Sequence, residues 1–425
     1  MRLNYLRTFF VGFAFLSICS FWNLYDSIIP LILENNFDKS DTYIGVILAL
    51  DNIFAIFMLP LFGTLSDRVH TRFGKRTPFI VLGTAVAVFA MIALPFAANS
   101  LRLVVFLVAL GTVLIAMSTY RSPAVALMPD LTPKPLRSKA NAIINLMGAI
   151  GSIYTLLAIK FLTPKSKPGE YTDYTYVFIA VGALMVFSVI VLLLKINENK
   201  MSIKNDECED DSEHIRGKGR MPREVRKSLI FLLLSVSFWF ISYNAVASTY
   251  SRYIENVMNI KDGGFATSLL IGTIAAVISY IPVAQLSSRF SRKKIIITGV
   301  VIMTISFAAA IPIDSYNAFM YIILVAVGFG WAAINVNSYP MVVEMSSGSD
   351  IGKYTGLYYT FSMAQVITPI LSGLLIDNLN IGYRVLFPYA AFFSALALIT
   401  MLFVKHGDSK PIPKNSLLES ISGED

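Results

Sequence analysis

Charge is scarce in this chain. Asp, Glu, Lys and Arg make up 15% of its 425 residues, where a soluble domain carries about 25%. Cysteine is nearly absent. Cys19 and Cys208 fall in different environments, an apolar stretch and a polar one, and imply neither a disulfide nor a metal site. The three histidines, His70, His214 and His406, all lie in connecting or tail segments, which excludes a histidine proton relay in the interior. The apolar stretches hold no nucleophile–base pair and no set of metal ligands, so neither an enzyme nor a cofactor is expected.

What the chain has instead is apolar length. Hydrophobic residues are 55% of the total and mean hydropathy is +0.64. Twelve stretches reach the roughly 20 residues that a bilayer-spanning helix needs: Leu6–Leu33, Thr42–Leu65, Thr77–Ala98, Leu101–Met128, Ala140–Phe161, Tyr174–Leu194, Ser228–Tyr253, Ala266–Leu286, Ile295–Ile313, Ala318–Val343, Tyr354–Ile376 and Val385–Val404. They are called spans 1 to 12. The expected class is an all-α membrane protein. Span 1 is too long for a signal-peptide core and runs straight into span 2, so it reads as an uncleaved helix.

Spans 3, 6, 9 and 12 contain no charged residue at all. A polar group inside a bilayer must face protein or a wet path, so eight spans should line something wet and four should support them. The net charge of +8 is not a nucleic-acid signal. Lys and Arg in the termini and even-numbered loops total 26, against 8 on the opposite side. The positive-inside rule then puts both termini in the cytoplasm.

The long polar interruption, Asn197–Lys227, has no apolar periodicity and reads as a mobile cytoplasmic linker. It divides the chain into a six-span half (1–196), the linker (197–227), a second six-span half (228–405) and a tail (406–425). The halves repeat one another. Ser20-Phe21-Trp22 in span 1 returns as Ser237-Phe238-Trp239 in span 7, offset by 217 residues, and Pro123 and Pro340 share that offset. Pro60 and Pro282 lie 222 apart, each leading into a basic turn. Parallel halves of this kind are a transporter pattern.

Asp51 lies mid-span in span 2, and a charged carboxylate there costs roughly 2.5–3.5 kcal/mol. It must be protonated, paired or facing water, which makes it a candidate proton carrier. Asp26 in span 1 is the second such acid, and Arg121 in span 4 the basic residue well inside a span. A structural ion pair would explain the same residues. Trp22, Trp239 and Trp331 sit near mid-span rather than in interfacial belts. They share the polar spans with Tyr25, Tyr120, Tyr243, Tyr339, Tyr358, Asn23, Asn145, Asn244, Asn335, Asn337 and Gln365. Aromatic faces with scattered amides suit a ligand with C–H faces and many hydroxyls, although some will be interhelical hydrogen bonds.

Between spans 2 and 3 runs Gly63-Thr-Leu-Ser-Asp67-Arg68, then Arg72-Phe-Gly74-Lys75-Arg76. A glycine at a close contact, an aspartate able to cap the next helix and fixed guanidinium donors would make a gating loop. This string, with Pro78-Phe79 after it, resembles the loop signature of the major facilitator superfamily. Its spacing is similar to the glycoside–pentoside–hexuronide:cation symporters. Tyr120-Arg-Ser-Pro-Ala-Val-Ala-Leu-Met-Pro-Asp130 strengthens the similarity to the sucrose/proton symporter-type branch, in which an arginine matching Arg121 is associated with sugar binding. The resemblance implies a twelve-helix fold, a central sugar site, alternating access and a monomer. The acids of the sodium-capable melibiose-type branch fall here on Ala55, Leu59 and Arg121, so proton coupling is the expectation. The reading is a plasma-membrane symporter of a proton with a sugar, a disaccharide or glycoside. Its rivals are an exporter of amphipathic molecules on the same fold and a non-transporting sugar sensor. The exporter should have a more apolar cavity with no need for Arg121; the sensor should carry an output domain, for which linker and tail are too short.

Overall fold

The computed structural model describes residues 4–69, 71–132, 137–165, 171–201, 222–315, 317–345, 351–379 and 381–407. All twelve expected spans are helices long and apolar enough to cross a membrane, and no strand forms among the described residues. Several run beyond their apolar cores because polar residues close their ends. Span 1 is the helix Tyr5–Asn35, capped by the Asn4 side chain, which accepts from the Arg7 amide at 2.9 Å. Span 2, Asp41–Arg68, and span 9, Arg292–Ala310, start at serines that cap in the same way. Span 7 extends on both sides of its apolar run, to Arg223–Met258, and stops at Asn259, whose left-handed backbone (φ 56°) ends the helix.

Span 11 departs from the expected continuous helix. It is built as Ile351–Ser362, a tighter 3₁₀ turn Met363–Val366, and Ile367–Asn378. Pro369 explains the break: it has no N–H to bond the carbonyl four residues back, that of Gln365.

The sequence repeat is structural. Ser20 Oγ meets Thr155 Oγ1 of span 5 at 2.6 Å, and its counterpart Ser237 donates to the Phe361 carbonyl of span 11 at 2.9 Å. Spans 5 and 11 hold equivalent places in the two halves. The halves meet along spans 2 and 11, 5 and 8, and 1 and 7. Spans 3, 6, 9 and 12 pack within their own halves and turn residues such as Phe89, Leu194, Ile305 and Phe392 outward. Their lack of charge follows from that position.

The seam between the halves is asymmetric. Cross-half hydrogen bonds gather at the end opposite the linker, for instance Asn35 to Glu255 at 3.0 Å and Asn256 to Glu34 at 2.8 Å. Toward the linker, spans 2, 5, 8 and 11 expose Ile56, Leu146, Ile278 and Tyr359. The molecule is closed on the far side and open on the basic, linker side.

Candidate functional site

Helical spacing sets Trp22 and Asp26 one turn apart on span 1. Facing them from span 4, the Arg121 guanidinium lies 5.4 Å from the Trp22 ring centroid. Arg121 is half-buried and forms no hydrogen bond or ion pair among the described residues, which leaves its fork of five N–H donors open. Asp51 is half-buried and accepts from the side-chain amide of the neighbouring Asn52 at 2.6 Å. Both acids lie within electrostatic range of Arg121 and of each other. The Trp22 Nε1 and Asn23 Oδ1 atoms are buried with no hydrogen-bond partner among the described residues.

The second half supplies an aromatic wall. Tyr243 of span 7 stacks on Trp331 of span 10 with centroids 3.8 Å apart and planes 7° from parallel, and Phe240 meets Trp331 edge-on at 5.4 Å. Tyr243, in the second half, lies within electrostatic range of Asp26 in the first. Asn244, Asn335 and Gln365 are half-buried, the last in the 3₁₀ break of span 11, while Asn145 is exposed on span 5. Asn335 bonds the Trp331 carbonyl at 3.1 Å.

Five of the expected ligand-facing residues are sealed in helix contacts in this conformation. Tyr25 donates to the Ile47 carbonyl at 3.1 Å, Tyr120 meets Ser17 at 3.2 Å, and Tyr358 meets Ser338 at 3.0 Å. Asn337 donates to the Ala333 carbonyl at 2.9 Å, and Trp239 is fully buried. The three phenols and the Asn337 N–H serve packing between or along helices, the alternative that bundle amides and phenols present, while Trp239 Nε1 and Asn337 Oδ1 are buried with no hydrogen-bond partner among the described residues.

In the span 2–3 loop, Gly63 lies where a Cβ would be 2.9 Å from Ser122 Oγ, so spans 2 and 4 approach closely there. Arg76 is buried, pairs with Asp130 at 3.0 Å and reaches the Gly63 carbonyl at 3.2 Å and the Ser66 hydroxyl. Lys75 joins Asp130 at 3.2 Å. Arg72 lies over Phe73 at 4.8 Å, and Arg68 is exposed. Gly74 has φ +116°, which favours glycine, and a Cβ there would strike the Glu198 carboxyl group. The Asp67 side chain lies outside the described residues. The start of span 3 is capped by Glu198, which is buried and accepts from the amides of Lys75 at 2.9 Å, Arg76 at 2.9 Å and Thr77 at 3.0 Å, and from the Thr77 hydroxyl at 2.8 Å. A carboxylate at a helix N-terminus is favoured by the dipole and by the orphan amides. The first linker residues are therefore docked: Glu198–Met201 forms a short helix.

The sequence profile of the Major Facilitator Superfamily matches residues 11–289 and 263–421. The chain belongs to the major facilitator superfamily. Among solved structures, the xylose transporter XylE from E. coli in an inward-open conformation covers 96% of the chain and 96% of its own length with a TM-score of 0.67 at 12% identity. An auto-inhibited peptide transporter of the POT family covers 96% and 98% with a TM-score of 0.69 at 14% identity. Likenesses this distant speak for the fold. In sequence, the sucrose transport protein SUC3 of Arabidopsis thaliana is 29% identical over 120 residues, 24% of this chain and 20% of that protein. The protein YqgE of Bacillus subtilis is 26% identical over 198 residues, 44% of each. The chain thus covers well under two thirds of these relatives. As a superfamily member with twelve helices long and apolar enough to cross a membrane, it is a multi-pass membrane protein, in a superfamily of transporters rather than enzymes.

Two residues near this candidate site escaped the sequence reading. Cys19 lies one turn from Trp22 on span 1 and within electrostatic range of Arg121, and Tyr280 of span 8 lies within range of Cys19 and Tyr243. Tyr280 carried a usable signal, a phenol mid-way along one of the polar spans. Cys19 carried none.

Proposed function

We propose that this transporter imports a sugar, a disaccharide or glycoside, together with a proton across the plasma membrane, acting as a monomer with both termini and the linker in the cytoplasm. The observation that carries the reading is Arg121: a half-buried guanidinium with no ion pair among the described residues, held over Trp22 and near two acids. One arginine balances one carboxylate. The second carboxylate leaves a net negative charge unless it takes up a proton, so a neutral ligand and a proton can cross together without adding charge to an apolar interior. Arg121 would hold sugar hydroxyls through its planar fork. Trp22 and the Tyr243–Trp331 stack would cover the sugar's C–H faces. Asp51 would carry the proton, with Asp26 beside it.

The partial match to a sucrose transport protein and the shared fold of a xylose transporter support the sugar class. The basic loops support a cytoplasmic linker side, which makes the conformation inward-open. In the inward-closed state the span 2–3 loop would turn from partners such as Asp130 and Glu198 toward the other half. A ligand drives such a cycle only through different affinities for its states.

The test is Asp51→Asn in proteoliposomes. Sugar counterflow should persist at reduced rate while accumulation driven by an inside-alkaline pH gradient is lost. Undiminished gradient-driven accumulation would remove Asp51 from the mechanism. Efflux of amphipathic compounds, with no uptake of sucrose, maltose or other glycosides, would favour the exporter.

A further inference from the structure

The outer seam is built from residues that neither the sugar site nor the loop signature uses. Span 2 begins at Asp41, against the outer end of span 11. A Cβ on Gly45 would lie 2.7 Å from the carbonyl carbon of Pro369 and 3.1 Å from Cα of Ile370. A Cβ on Gly373 would lie 2.6 Å from the Asp41 carbonyl carbon and 2.9 Å from Cα of Thr42. Two backbones from opposite halves are therefore in direct contact, as small residues allow.

Polar groups pin this contact. The Asp377 carboxylate, from span 11, accepts from the amides of Asp41 at 3.0 Å and Thr42 at 2.7 Å and from the Thr42 hydroxyl. It caps the first amides of span 2 from the other half of the molecule. The Asp41 carboxylate accepts from the Tyr383 hydroxyl at 2.8 Å and pairs with Arg252 of span 7, whose side chain is 1% exposed. The network is incompletely satisfied among the described residues: Arg252 Nε is buried with no hydrogen-bond partner. A buried ionic network with orphan atoms holds less firmly than a complete one. That suits a contact broken in every cycle.

We propose that Asp377 and the Asp41–Arg252–Tyr383 group form the outer latch of this transporter, holding it outward-closed and setting how readily it reopens. When the latch opens, water replaces Asp377 at the start of span 2, and Arg252 becomes accessible. The inference needs alternating access but no particular substrate.

Double electron–electron resonance tests it without sugar. With Cys19 and Cys208 replaced, spin labels at Ser100 and Ile311, both exposed, report the outer separation of the halves, and labels at Phe73 and Phe290, also exposed, report the linker side. Asp377→Ala should raise the ratio of outward-open to outward-closed molecules about tenfold, matching the loss of a charge-assisted cap, while the linker-side pair draws together. Asp377 is exposed, so this truncation leaves no cavity. Arg252→Gln should shift the ratio further; should that variant misfold, the Asp377 result stands alone. Asp314→Ala, which breaks an exposed pair with Arg384 (3.1 Å) inside one half, should leave both distances unchanged. Wild-type distributions in Asp377→Ala would overturn the latch, and so would an equal shift in Asp314→Ala. A failed sugar assay would leave this result untouched.

Discussion

Replacing Glu198 by alanine would leave the amides of Lys75, Arg76 and Thr77 and the Thr77 hydroxyl without their acceptor. Each hydrogen bond to a charged group contributes about 1.5–3 kcal/mol, and a single cap about 0.5–2 kcal/mol. These bonds share one carboxylate and water can partly replace it, so the sum overstates the loss. About 3 kcal/mol of local stability is a reasonable total, near the upper end of what one residue contributes. Hydrogen exchange measures it directly. At about 1.4 kcal/mol per factor of ten, amides 75–77 should exchange roughly a hundredfold faster in the variant, with little change in spans 7–12. Glu198→Gln keeps one carbonyl acceptor and should fall between. Unchanged exchange at 75–77 in Glu198→Ala would refute the cap.

Gly74→Ala attacks the same joint from the other side. It places a methyl on a backbone at φ +116° and against the Glu198 carboxyl group, so melting of the purified protein should move down by several degrees, more than for Gly382→Ala, which also has positive φ but open space for a methyl. Unequal shifts in the opposite order would contradict the packing. Asp173, before span 6, supplies a pH dependence. Burial pushes its carboxyl up, but hydrogen bonds from the Thr175 hydroxyl, the Asn99 amide and the Thr175 N–H outweigh it and hold it below the ordinary aspartate value. Folding therefore favours the ionised form, whose contribution is present above the unfolded value of 3.8 and lost as pH falls through the lower folded value. Asn99→Ala should weaken that acid dependence in an acid-unfolding titration; an identical curve would exclude the contribution.

The twelve spans were legible because each is a long apolar run, and nothing else satisfies a backbone in lipid as simply as a helix. Their grouping was legible too, since spans 3, 6, 9 and 12 lack charge and pack away from the seam. The meeting of Arg121, Trp22, Asp26 and Asp51 could be expected from polar residues forced inward. The cap by Glu198 could not, because its partners lie more than a hundred residues earlier and only docking brings them together. Asp377 at the start of span 2 is the same case across the two halves. The break in span 11 had a local cause in Pro369, yet Pro30, Pro60, Pro95, Pro282 and Pro340 lie inside helices without such a break. Proline alone does not tell which helix will yield.

The central claim is that sugar and proton move together. The direct measurement is the pH of a weakly buffered suspension of cells or proteoliposomes holding this protein, on addition of sucrose, maltose or another glycoside. Proton symport predicts a transient alkalinisation of the medium that requires the sugar, disappears with a protonophore and is absent in Asp51→Asn. Uptake of labelled sugar by the same preparation, without any proton movement, would contradict it.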